Sequence, residues 1–145
     1  RKKCHGQNQR SDVGKYPLTI GLIDMNWLSI AALNIAVAVG CGAFAAHGLK
    51  ARLTTEQLAW WHTGTQYFFY HALGLLIVAL LIRLKIVPTP VAWLLQSGIL
   101  LFTGSLYLMA LGMPRWLGAI TPIGGSLFIL AWIWLAMAAT KQSPV

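Results

Sequence analysis

The chain has 145 residues, a formal net charge of +8, a hydrophobic content of 57 % and a charged content of 10 %. That balance falls outside ordinary soluble domains and leaves room for one membrane domain, with no soluble domain beside it. It also argues against nucleic acid as a partner: the basic residues flank apolar runs instead of clustering on a soluble face, which suits contact with anionic lipid headgroups.

Seven charged residues fall within positions 1–24, and the other seven leave four uncharged stretches, 25–49, 57–82, 86–114 and 116–140. Each exceeds the roughly 20 apolar residues that cross a bilayer core. Backbone amides in hydrocarbon must be paired internally, by helices or a closed barrel. A barrel needs alternating segments of about 10 residues, whereas these runs are continuously apolar. The expected fold is therefore an all-α membrane protein, an antiparallel bundle of four transmembrane helices within residues 25–141.

Residues 1–24 are polar and basic and lack apolar periodicity, so they are expected to be disordered. The first methionine is Met25, and the expectation is that translation begins there and that 1–24 is a non-native upstream segment. The first span is predicted at 26–47. Its small residues repeat four apart in two stripes, Ala32, Ala36 and Gly40, and Ala38, Gly42 and Ala46, which suits close helix approach. The rival reading is a cleaved signal peptide, since Ala43-Phe44-Ala45 has the small-x-small form, but the apolar run is too long for one.

Thr54 with Gln57 fits a capping box, so a helix is expected to start there. Trp60 and Trp61 are expected at headgroup level. The second span is predicted at 64–82, ahead of Arg83 and Lys85, and the third at 91–111 after Pro88 and Pro90. The fourth is predicted at 117–139, with two openings left standing: a start at Thr121-Pro122, or a start near Leu117 with a kink at Pro122. Residues 142–145 form a short C-terminal tail.

With four spans, the tail, the 83–90 loop and the C-terminus share one side, with five, two and one Lys or Arg; the other side holds Lys50, Arg52 and Arg115. The positive-inside rule then puts both termini in the cytoplasm, although without the tail the sides are equal.

The polar residues inside the apolar runs concentrate in one half of the predicted membrane, opposite the termini. The candidate intramembrane cluster is His47, Gln66, Tyr67, Tyr70, His71, Ser105, Tyr107 and Thr121. On the second span Tyr67 and His71, and likewise Gln66 and Tyr70, are i,i+4 neighbours. His71 is the deepest ionisable group, a functional candidate by depth alone; the plain alternative is a hydrogen bond to a neighbouring helix through Ser105, Tyr107 or a carbonyl. His47 and His62 are expected at the interface. Ala38, Gly40, Gly42, Ala46, Gly104, Gly124 and Gly125 are read as helix-packing positions.

Several chemistries find no residues. No Asp or Glu lies inside an apolar run, which argues against carboxylate-coupled antiport and a two-carboxylate protease. No phosphate-binding loop or zinc motif is present. Cys4-His5 lacks companion ligands and Cys41 stands in an apolar run, so neither a metal site nor a disulfide is expected, nor any cofactor.

GAFAAHGL (Gly42–Leu49), TGTQYFFYHALGLL (Thr63–Leu76), FTGSLYLMALG (Phe102–Gly112) and RWLGAITPIGGSLFILAW (Arg115–Trp132) together resemble domain-of-unknown-function family 423, small bacterial inner-membrane proteins, and more distantly transmembrane protein 256. The likeness covers 25–139, with Ala45 where glycine is expected. It implies a four-span plasma-membrane protein and lends no activity. The expected role is non-enzymatic, a structural or interaction component in the lipid bilayer, with homo-oligomers through the small-residue stripe of the first span. The alternative is an oligomeric transporter or channel for a small neutral or weakly basic solute, whose site would be the polar cluster.

Overall fold

The computed structural model describes residues 18–141, with side chains from Trp27 onward. The expectations for residues 1–17 and 142–145 lie outside the described residues. The chain folds into α1 (Leu18–Phe44), α2 (Thr55–Arg83), α3 (Pro90–Gly98), α4 (Gly104–Ala110) and α5 (Thr121–Thr140). Two π-helical turns, Ala45–Leu49 and Ile99–Thr103, extend α1 and join α3 to α4, and a 3₁₀ turn, Arg115–Ala119, precedes α5. There is no strand among the described residues. Four spans are long and apolar enough to cross a membrane: Trp27–Leu49, Thr55–Arg83, Pro90–Ala110 and Arg115–Thr140.

The spans differ from the expected boundaries for local reasons. α1 begins at Leu18, inside the segment assigned to the tail, because Leu18–Ile23 is uncharged and apolar and continues the helix of the first span. α2 begins at Thr55, where the capping box led a helix to be expected, so it runs nine residues ahead of the predicted membrane span at 64. The cause is the capping box: the Thr54 hydroxyl accepts from the Gln57 amide at 3.2 Å, and the Gln57 side chain accepts from the Thr54 amide at 3.0 Å. Two orphan donors at the helix start are thereby satisfied. Pro122 lies in the first turn of α5, where a missing N–H costs no helical bond. The fourth span thus opens as a 3₁₀ turn and becomes α-helical at Thr121. Between the third and fourth spans the chain reverses at Gly112, whose φ of 92° lies in the left-handed region open to glycine.

α2 is central. It packs against α1 on one side and the third span on another, and the third span in turn packs against α5. Phe68, Ala72, Leu75 and Val78 of α2 meet Ala31 and Ala38 of α1, Val91 and Leu95 of α3, and Phe128 and Ala131 of α5 in one buried core. The seam of the first span runs through buried Ala31 and Ala38 of α1 and Ala45 and Leu49 of the π-helical turn that extends it. Ala46 faces outward: residues spaced by four drift about 80° around a helix over eight positions, whereas a step of seven nearly closes two turns. The stripe Ala32, Ala36 and Gly40 is also exposed.

Paired ends confirm the antiparallel threading. Trp27 and Trp93, at the starts of the first and third spans, meet edge to face with ring centroids 4.9 Å apart. At the opposite end Arg115 bonds Glu56 at 2.8 Å and lies 5.6 Å from the centre of the Trp60 ring. Both ionic side chains are largely exposed, so this pair contributes at most about 1 kcal/mol.

Candidate functional site

The mid-points of the four spans fall at Ala38, Phe69, Leu100 and Leu127–Phe128. Cross-helix contacts agree with that level: His71 stacks on Phe128, and Phe128 covers Gly98. Gln66, Tyr67, Tyr70 and His71 therefore sit near the middle of α2, further from its start than a span beginning at 64 implies. The nine added residues at the start of α2 shift its centre.

The eight candidate polar residues do not form one site. His47 is exposed near the end of the first span. Ser105 and Thr121 join α4 to α5 through a 2.7 Å hydroxyl–hydroxyl bond, and Ser105 also donates to the Phe102 carbonyl at 2.9 Å. Tyr107 bonds Thr65 at 2.8 Å, joining α4 to α2. Gln66 donates from Nε2 to the Tyr70 hydroxyl at 2.9 Å, and both side chains are on the outer surface of the bundle. Tyr67 and His71 pair by stacking, at 5.9 Å and 13°.

His71 is 8 % exposed. Its Nδ1 lies 2.8 Å from the Tyr67 carbonyl; a carbonyl only accepts, so Nδ1 carries a proton. The bond is to the preceding turn of its own helix, not to a neighbouring one. The imidazole lies flat on Phe128, with centroids 3.4 Å apart and planes at 14°, while Trp132 closes the group at 6.1 Å. The ring therefore acts as an aromatic plate in the α2–α5 seam, between Tyr67 and Phe128.

Trp61 also departs from expectation. It is 6 % exposed, stacks on Tyr107 at 4.1 Å, and donates from its indole N–H to the Cys41 carbonyl at 3.0 Å. It faces the bundle interior and packs against neighbouring helices. The early start of α2 explains this, because it turns Trp61 toward α1 and α4. Trp60 keeps a half-buried place under Arg115.

The glycines separate by what a methyl group would meet. At Gly124 a Cβ would lie 2.5 Å from the Phe102 backbone nitrogen; at Gly42 and Gly125 the nearest contacts are an ordinary 3.7 and 3.8 Å. Nothing lies within 4 Å at Gly40 or Gly104, so neither is a point of close approach within the bundle. Tight positions at Gly64, Gly74 and Gly98, against Tyr107, Trp132 and Phe128, were not among the expected ones.

A further contact was not anticipated. Asn34 of α1 donates from Nδ2 to Gln96 Oε1 of α3 at 2.6 Å. Both lie four residues from their spans' mid-points, about 6 Å toward the termini. The available signal was a carboxamide in each of two apolar runs, Asn34 among aliphatic residues and Gln96 beside Ser97. At the same end, two clefts sharing Ile86 and Pro88 carry Arg83, Lys85 and Lys141 at their margins. No group of three or more potential metal ligands occurs among the described residues.

Four apolar spans, stapled inside by short polar bridges and stacked aromatics, define a small polytopic α-helical membrane protein. The chain belongs to the family of proteins of unknown function DUF423, which matches residues 41–125. It is similar to the UPF0382 membrane protein YwdK of Bacillus subtilis, 47 % identical over 118 residues, covering 79 % of this chain and 96 % of that protein. A UPF0382 membrane protein of Staphylococcus epidermidis is 47 % identical over 116 residues, covering 79 % and 95 %. One of Staphylococcus saprophyticus is 45 % identical over 116 residues, covering 79 % and 97 %. No solved structure matches the chain.

Proposed function

We propose that the protein is a non-enzymatic component of the bacterial inner membrane, acting by intramembrane association with other proteins or with copies of itself. One observation carries this reading: the polar side chains inside the bundle serve to join helices. Asn34 bonds Gln96, Thr65 bonds Tyr107, Thr103 donates to the Gly64 carbonyl at 3.3 Å, and Ser105 bonds Thr121. Meanwhile the first and fourth spans leave broad apolar faces outward, with 17 % of their most apolar windows buried. Native mass spectrometry of protein released gently from membranes tests the proposal. The expected result is a defined assembly, with protein partners or further copies; a retained small molecule that the purified protein converts would overturn it.

Transport of a small neutral or weakly basic solute is the second reading. Its support is the Gln66–Tyr70 pair on the outer surface near the middle of α2, where a path between copies would run. Solute flux into liposomes, lost in Gln66→Leu but kept in Ile129→Ala, would favour it.

Both termini are proposed to be cytoplasmic, since the five Lys and Arg of residues 1–24, with Arg83, Lys85 and Lys141, outnumber Lys50, Arg52 and Arg115 on the other side. Single cysteines replacing Lys85 and Lys141 are expected to react from the cytoplasmic side, and one replacing Lys50 from the other. Reaction of the Lys50 and Lys85 positions from the same side would contradict the threading itself.

A further inference from the structure

Gln66 and Tyr70 present an incompletely satisfied pair of polar groups to hydrocarbon. Their mutual 2.9 Å bond uses one amide hydrogen of Gln66 and one lone pair of the Tyr70 oxygen. The Tyr70 O–H, the Gln66 Oε1 and the second amide hydrogen remain, on side chains exposed near the middle of α2. In bilayer hydrocarbon an unmet donor or acceptor carries a heavy cost. The pair sits on a continuous outward face of α2. Thr63, Gln66, Tyr70, Leu73, Ile77 and Leu80 are all exposed, and they alternate by three and four residues, the period of a left-handed helix seam.

We infer that this face of α2 is a two-fold interface with a second copy of the chain, closed by reciprocal bonds from each Tyr70 hydroxyl to the other copy's Gln66 Oε1. The unmet groups include both a donor, the Tyr70 O–H, and an acceptor, the Gln66 Oε1, so the face can complement itself about an axis along the membrane normal. A second copy presents the same pair at the same depth automatically, whereas another partner would have to match both chemistry and depth. Below the polar pair, Leu73, Ile77 and Leu80 supply packing. This interface rests on the reading that the protein works by intramembrane association, and it names the surface and the partner. It is distinct from the small-residue stripe on the first span.

The test uses full-length protein in lipid vesicles, with Cys4 and Cys41 replaced by serine. Under mild oxidation Leu73→Cys is expected to cross-link into dimers, while Val39→Cys on the first span and Ile129→Cys on the fourth are not. In a fluorescence energy transfer assay with lipid dilution, Tyr70→Phe is expected to weaken dimerisation by about ninefold, from two bonds of about threefold each. Gln66→Leu should do the same. These side chains are exposed, so the fold persists in both variants, which an unchanged unfolding transition verifies. Cross-linking through Val39→Cys or Ile129→Cys, affinity unchanged in Tyr70→Phe, or a monomer at every dilution would each overturn the interface. A different membrane protein captured by monomeric chains would overturn it too, while leaving the association reading intact.

Discussion

Gly124→Ala is expected to destabilise the bundle by about 2 kcal/mol, a large effect for one methyl group. The added Cβ would lie 2.5 Å from the Phe102 nitrogen and 2.8 Å from its Cα. These are backbone atoms and cannot swing aside as a side chain can. They also belong to the π-helical turn Ile99–Thr103, where the third span bulges against α5. Relief would need the two helices to separate, which would strip Phe128 from Gly98 and loosen its stack on His71. Opposing this is the gain in helix propensity from glycine to alanine, at most about 1 kcal/mol, so the clash wins. Gly104→Ala isolates that gain, since nothing lies within 4 Å of its Cβ position; it is expected to be neutral or slightly stabilising. Unfolding in mixed micelles, followed by tryptophan fluorescence, compares the two. Equal stability in both variants would show that the α5 approach is not tight.

The architecture was legible in the sequence because charge is so sparse. Four uncharged runs leave a helix bundle as the simplest way to satisfy backbone amides in lipid, and the capping box at Thr54 marked a true start. Less was legible where a short pattern competes with three-dimensional context. The stripe spacing in the first span pointed to Ala46, but a helix of 3.6 residues per turn brings Ala45 inward instead. Trp61 resembles an interfacial anchor by its place in the chain, yet the early start of α2 buries it against Tyr107.

The polar cluster shows a similar division. The i,i+4 pairs Gln66–Tyr70 and Tyr67–His71 follow from helix geometry and are present. The partners across helices do not follow from it. Nothing near Tyr107 in sequence indicates Thr65, and nothing near His71 indicates Phe128. Glycine count was equally limited as a guide: Gly40 and Gly124 look alike in sequence, but only the second meets another helix's backbone.

The second large effect is expected at Asn34 and Gln96. Replacing either one alone, as Asn34→Leu or Gln96→Met, should cost about 1–2 kcal/mol, because the surviving carboxamide loses its partner in a water-poor core. Replacing both should cost less than the sum, by about 1 kcal/mol, since the double variant leaves no amide stranded and keeps similar volume. The bond is short, 2.6 Å, and ties α1 to α3 across 62 positions of sequence. Among the polar bridges inside the bundle it is the one that fixes the first span to the third. The others join the second span to the third or the third to the fourth, apart from the Trp61 indole bond to the Cys41 carbonyl, which ties the first span to the second nearer its far end. Loss of this bond should therefore free α1 preferentially. Hydrogen exchange in Asn34→Leu is expected to rise along α1 before it rises in α5. Additive single and double costs, or uniform exchange across all four spans, would mean that the Trp27–Trp93 contact and the alanine seam hold the first span without help from the amide pair.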